Sequence, residues 1–254
     1  IAGKGMTGDD LIDFINDHLI PTIKDIKVGE HSDKRDILLH EVFVDSYNYM
    51  KSGQLLRKVI NVLNEADFSN HAETHAFNDV YETLLKGLQA SGTHGEFYTP
   101  RALTDFVVEM TKPKLGDKIA DFACGTGGML ISALEELDKQ VDTVEKRTVL
   151  QNSIYGQELK PLPYLLATTN LMFHDIEVPN IIRGNSLADD VRYPKEKMDV
   201  LVMNPPYGST SSPENKSSVP LDLQGSELSD LFMVKMMYAL NENGRVGVIL
   251  PDGF

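Results

Sequence analysis

Ile119-Ala120-Asp121-Phe122-Ala123-Cys124-Gly125-Thr126-Gly127-Gly128 is an apolar run that breaks into a glycine-rich turn. Ile119–Ala123 reads as a strand, and a helix is expected from about Gly127 to Leu137. Glycines at such a junction permit a tight turn and let the backbone come close to a ligand. In doubly wound sheets, ligands lie outside the carboxyl ends of the strands, at turns of this kind.

Working outward, strands and helices keep alternating. Ser153–Gln157, Asn180–Arg183, Met198–Met203 and Arg245–Leu250 are expected strands. Helices are expected from about Leu162 to Phe173 and from Asp230 to Leu240. This alternation predicts a parallel α/β sheet with helices on both faces, a Rossmann-like doubly wound domain. Upstream, Thr99 is the expected N-cap of a further helix, with Pro100 at its first position. That helix is expected to bury Leu103, Phe106, Val107 and Met110.

Residues 1–92 have a different texture. Leu11, Phe14, Ile15 and Leu19 recur at helical spacing, as do Leu55, Val59, Val62 and Leu63, and Tyr81, Leu84, Leu85 and Leu88. Pro21 is placed to interrupt the first helix. An all-helical N-terminal domain, 1–92, followed by an α/β domain, 93–254, is expected, with a linker at Ser91-Gly92-Thr93-His94-Gly95.

The turn lacks the Gly-x-Gly-x-x-Gly spacing of dinucleotide sites. Glu158, at the end of the next strand, can accept hydrogen bonds from two ribose hydroxyls. A nucleoside without phosphates therefore fits better than NAD, and S-adenosylmethionine is such a cofactor. The fourth strand runs into Asn204-Pro205-Pro206-Tyr207-Gly208. An exocyclic sp² amine delocalises its lone pair and is a poor nucleophile. If the Asn204 side-chain oxygen and the Pro205 carbonyl accept its hydrogens, the lone pair can turn towards a methyl donor. Pro206 restricts the backbone at Pro205, and Tyr207 can stack on a base, worth about 1–3 kcal/mol. A base within a duplex would have to be flipped out. The polar, turn-rich segment from Gly208 to Asp230 is expected to be a mobile substrate-side loop or disordered.

Other features are read as structural. His71 and His75 stand four apart, but Glu73 is misplaced for the zinc-protease pattern, so no metal site is expected. Cys124 is the single cysteine, which excludes an internal disulfide and fits a reducing, cytoplasmic compartment. No apolar run is long enough to span a membrane. The net charge of −14 argues against strong nucleic-acid binding by this chain alone and points to a partner that holds the nucleic acid.

Glu96-Phe97-Tyr98-Thr99-Pro100-Arg101, then Asp121 to Gly128, Glu158 and Asn204 to Tyr207, resemble the modification subunit of type I restriction–modification systems. These are amino-methylating DNA adenine methyltransferases. The resemblance covers nearly the whole chain. Asn-Pro-Pro-Tyr alone is shared with methyltransferases acting on RNA or on protein glutamine, and Phe-Tyr-Thr-Pro upstream separates the DNA enzymes from these. The resemblance implies that Glu96, Phe97, Tyr98, Thr99, Pro100, Arg101, Gly125, Thr126, Gly127, Gly128 and Glu158 form the S-adenosylmethionine site. It places Asp121 near the methionine end, and Asn185 and Ser186 near the cofactor adenine. Asn204, Pro205, Pro206 and Tyr207 would hold the target base. It further implies a separate specificity subunit, a restriction or translocase subunit, and a second modification subunit. An Asn-Pro-Pro-Tyr methyltransferase acting on RNA or protein glutamine is one alternative; the catalytic domain is expected to be incomplete at its C-terminus, so a cofactor-binding module without activity of its own is the other.

Overall fold

A computed structural model describes residues 5–29, 31–65, 81, 83, 85, 87, 99–208 and 212–252. The roles expected of Glu96, Phe97 and Tyr98, the His71 and His75 pair, and the 91–95 linker lie outside these residues. The chain divides into two compact units, Ile1–Phe77 and Asn78–Phe254. The expected boundary at 92/93 lies further along the chain. Tyr81, expected in the helical domain, donates its hydroxyl to the Leu166 carbonyl at 2.8 Å and packs edge-on against Phe173, both in the second unit.

The described part of the first unit is helical: α1 (Gly8–Asp13), α2 (Ile20–Lys24), α3 (Lys34–Phe43) and α4 (Gly53–Leu63). Pro21 does not break the chain out of helical geometry. The turn before it, Phe14–Leu19, widens into a π-helical segment, and Leu19 and Ile20 stay right-handed. Widening is one way to relieve the proline ring's clash with the preceding turn. Asp33 and Ser52 cap α3 and α4 through the amides of Arg35 and Leu55.

The second unit holds α5 (Arg101–Thr111), β1 (Ile119–Asp121), α6 (Gly128–Asp138), α7 (Val144–Gln151), β2 (Ile154–Glu158), α8 (Pro161–Phe173), β3 (Asn180–Arg183), β4 (Met198–Met203), α9 (Pro213–Ser217), α10 (Leu228–Ala239) and β5 (Leu240–Val248). The strands form one parallel sheet in the order β3-β2-β1-β4-β5. The apolar strands read from sequence are its core: Ile119, Val200 and Val202 are fully buried. The stretch between Gly128 and Glu158 is long because it holds two helices, α6 and α7, the second of which the periodicity did not disclose.

Helix α5 corrects two expectations. Its N-cap is Pro100 rather than Thr99. Its buried face is Thr104, Val107, Val108 and Thr111, while Leu103, Phe106 and Met110 remain exposed at 39%, 59% and 63%. The reason is close packing. A Cβ on Gly247 of β5 would stand 2.7 Å from Val107 Cγ1 and 2.9 Å from Thr111 Cγ2. Thr104 and Ser132 of α6 share a hydrogen bond of 2.7 Å between their hydroxyls. Small side chains let these backbones approach, and larger ones are turned outward.

The segment from 212 to 230 is also ordered beyond expectation. It contains α9 and a short 3-10 turn, Leu221–Leu223. The Val191 amide donates to Ser218 O at 2.9 Å, and Val219 is 4% exposed. One buried apolar residue and a few backbone bonds anchor what composition alone marks as a loop.

Candidate active site

Strand β1 stands between β2 and β4, so the chain leaves β1 towards one side of the sheet and returns to the other at β4. That is a topological switch point, where an open sheet leaves a crevice beyond its carboxyl ends. The glycine-rich turn follows β1, and Asn204 follows β4. Thr99, Asp121, Gly125, Gly128 and Asn204 line one open cleft there.

The turn is pinned from several sides. Gly125 and Gly127 have φ of 56° and 84°, in the left-handed region that side chains avoid. The Cys124 amide donates to Gln157 O at 3.1 Å, and the Asn170 side chain donates to Thr126 O at 3.0 Å. The Gly125 amide donates to Glu158 Oε2 at 3.0 Å, and the Lys160 amide to Glu158 Oε1 at 2.8 Å. Glu158 thus shapes the turn directly. Each of its oxygens keeps a further lone pair. In β2, Gly156 permits close packing, because a Cβ there would lie 2.9 Å from Leu130 Cδ1 and 3.2 Å from Cys124 Sγ.

The acids beside the turn are buried. Asp121 is 2% exposed and accepts the Ala123 amide at 2.9 Å. Burial first, then the charge of Glu158, push its carboxyl up to about 8. Burial likewise raises Glu158, against the pull of its backbone donors. Desolvation also raises the Cys124 thiol, so a buried, inert side chain is the proper reading of it. Two neighbouring acids in low dielectric disfavour their own ionisation, and a cationic ligand would relieve that.

On the opposite wall, Asn204 donates from Nδ2 to Thr99 Oγ1 at 3.2 Å. The Tyr207 hydroxyl donates to Asn204 Oδ1 at 2.5 Å and approaches Ile249 O at 3.4 Å. Pro205 is buried, whereas Pro206 and Tyr207 are exposed. The strand end is fixed below them by the Ile249 amide, which donates to Met203 O at 3.0 Å.

The remaining expected residues stand around this cleft rather than in its lining. Arg101 reaches Glu135 of α6 at 3.4 Å. Ser186 donates its hydroxyl to the Phe122 carbonyl, directly behind the turn. Asn185 accepts the Leu187 amide at 3.0 Å and donates to Asn215 of α9 at 2.8 Å. Cys124 and Met129, which sequence reading passed over as site residues, do line the cleft. Their position directly beside Gly125 and Gly128 was the available signal. Among the described residues, no cluster of ligating side chains could hold a metal ion, and no helix is long and apolar enough to cross a membrane.

Comparison with known proteins adds to this geometry. The family model described as N-6 DNA Methylase matches residues 72–254. The chain is 47% identical, over 252 residues, to the methylase subunit of the EcoEI type I restriction enzyme of Escherichia coli, covering 98% of this chain and 51% of that protein. It is similar to a solved modification subunit of a putative type I restriction enzyme from Vibrio vulnificus YJ016, with a TM-score of 0.83 and 38% identity over 98% of this chain and 56% of the other. A putative class I S-adenosylmethionine-dependent methyltransferase from Listeria monocytogenes matches with a TM-score of 0.60 and 17% identity over 95% of this chain and 75% of the other, which shows the shared fold. The chain spans about half the length of the EcoEI subunit.

Proposed function

This chain belongs to the N-6 DNA methylase family, and from that premise we propose that it works as part of the methylase subunit of a type I restriction enzyme. The reaction is transfer of a methyl group from S-adenosylmethionine to the exocyclic amine of adenine in DNA. The observation that carries this reading is the single cleft that Asp121, Gly125 and Gly128 share with Asn204.

The residues present fit S-adenosylmethionine. It is a nucleoside without phosphates and carries positive charge on its sulfonium and ammonium groups. The residues offer a buried acid in the cleft lining at Asp121, a second held against the Gly125 amide at Glu158, and a turn whose left-handed glycines keep side chains out of the way. When bound, the cofactor supplies an electrophilic methyl whose sulfur leaves as a neutral thioether. Asp121, Gly125, Thr126, Gly127, Gly128 and Glu158 are assigned to the cofactor side, and contacts to the cofactor are also assigned to Glu96 to Arg101, Asn185 and Ser186.

Asn204 Oδ1 and the Pro205 carbonyl accept the two hydrogens of the adenine amine. This holds the nitrogen out of conjugation and aims its lone pair at the methyl; as the N–C bond forms the S–C bond breaks, and the methylated, cationic amine then gives up one proton to solvent. The Tyr207 ring, half-exposed beside Asn204, turns to stack on the flipped base. Alignment of the two reactants supplies most of the rate. The acidic balance of the chain, −14, agrees with DNA being presented by a specificity subunit. A restriction or translocase subunit and a second methylase subunit complete a cytoplasmic assembly.

The test uses the full-length protein with its specificity subunit and tritium-labelled S-adenosylmethionine, offered DNA, RNA and protein. Label is expected in DNA adenine only. Asn204→Ala is expected to bind cofactor normally and to lose methyl transfer. Transfer at the parental rate by that variant would sink the base-holding role.

A further inference from the structure

A carboxamide can serve as an amine acceptor in one of its two orientations only. Rotated by half a turn, Asn204 would present N–H groups to the adenine amine, and donor would face donor. Something must hold Oδ1 towards the base. The Tyr207 hydroxyl touches Oδ1, but Tyr207 is 51% exposed and three residues away in sequence. Its ring has to leave that position to stack on a base. The bond that can persist through the reaction is the other one, from Nδ2 to Thr99 Oγ1 at 3.2 Å.

Thr99 is well placed to hold it. It precedes Pro100, whose ring fixes φ and whose carbonyl accepts the Leu103 and Thr104 amides at 2.9 and 3.1 Å, so Thr99 sits on the rigid start of α5. Helix α5 is in turn locked to α6, where Ser132 Oγ meets Thr104 Oγ1 at 2.7 Å and donates to Asp105 at 2.6 Å. The Thr99 carbonyl lies 3.8 Å from where a Cβ on Gly128 would stand, against the cofactor-side turn. Thr99 therefore lies between the Asn204 side chain and the glycine-rich turn.

We infer that Thr99 is a positioning residue: its hydroxyl, accepting from Nδ2, holds the Asn204 carboxamide in place beside the cofactor-side turn. This goes beyond a cofactor contact for Thr99 and rests on the base-holding role of Asn204. The bond is long-range, and it lies in the cleft that both reactants must enter.

Thr99→Val keeps the shape and removes the hydroxyl. In the full-length methylase with its specificity subunit, at saturating S-adenosylmethionine and DNA, its single-turnover rate is expected to fall about tenfold, the worth of one hydrogen bond. Because the rate is read at saturating cofactor, the loss is expected in kcat, with any fall in cofactor affinity smaller than the fall in rate; the melting temperature is expected to stay at the parental value, and Thr99→Ser is expected to restore the rate. Should Val disturb folding, Thr99→Ala removes the same hydroxyl without filling its space. A parental rate in the hydroxyl-less variants, with Asn204→Ala inactive, overturns the inference. So does a loss of cofactor affinity with kcat unchanged, which would make Thr99 a cofactor contact. Activity in Asn204→Ala would instead remove the reading beneath it.

Discussion

Asp121→Asn isolates an acidic group that the cleft holds almost fully buried. Folding raises its carboxyl from 3.8 to about 8, with burial the leading cause. Across that window the folded chain holds a proton that the unfolded chain has released. The contribution of Asp121 to stability is therefore fully present below 3.8 and is lost as pH climbs towards 8. Each pH unit inside the window is worth about 1.4 kcal/mol. From about pH 6 to about pH 8 the loss comes to about 2 kcal/mol, once ionisation of the folded state is allowed for. Asparagine keeps an acceptor for the Ala123 amide, 2.9 Å away, and cannot ionise. The variant should thus gain on the parent by about 2 kcal/mol over those two pH units. Urea titrations at both ends of the range, followed by circular dichroism because the chain has no Trp, read this directly. A stability difference that does not change with pH refutes the argument. Ligand binding gives the mirror image. A cationic cofactor favours the ionised acid, so parental affinity for S-adenosylmethionine should rise with pH towards 8, while the variant binds more weakly and without that slope.

Two further substitutions test the frame around the site. Gly156→Ala drives a methyl to within 2.9 Å of Leu130 Cδ1 and 3.3 Å of Ile181 Cγ1, both buried, so overpacking should cost about 1–3 kcal/mol. That predicts a lower melting temperature and weaker cofactor binding through the displaced Cys124, and a variant as stable as the parent would contradict it. Asn215→Ala removes the 2.8 Å bond between α9 and Asn185. Losing about 1 kcal/mol of anchoring should speed tryptic cleavage at Lys216 severalfold, and an unchanged cleavage rate would show the anchor to be idle.

Much of the α/β unit was legible in the chain itself. Buried parallel strands are short apolar runs, so β3 and β4 were readable to the residue, and glycine and proline punctuated the turns where the ligand cleft forms. Motif residues on one loop, such as Asn204 to Tyr207, are neighbours whatever the fold does. The face of α5 was misread for a physical reason. Hydrophobicity pointed to Leu103, Phe106 and Met110, but contact with α6 and β5 selects by size, and Thr104, Val107 and Thr111 are what fit. The order of the segment from 212 to 230 was likewise hidden, since it depends on Val191, Asn185 and one buried valine.

Local pattern therefore determined the strands, most of the helices and the parallel α/β class. Tertiary structure alone decided which of them meet. Thr99 and Asn204 are 105 residues apart, and only the sheet order, with β1 between β2 and β4, brings their side chains to 3.2 Å. The state of Asp121 is of the same kind: its charge is set by burial and by Glu158, and desolvation is a property of the packed interior that no residue carries in its own sequence.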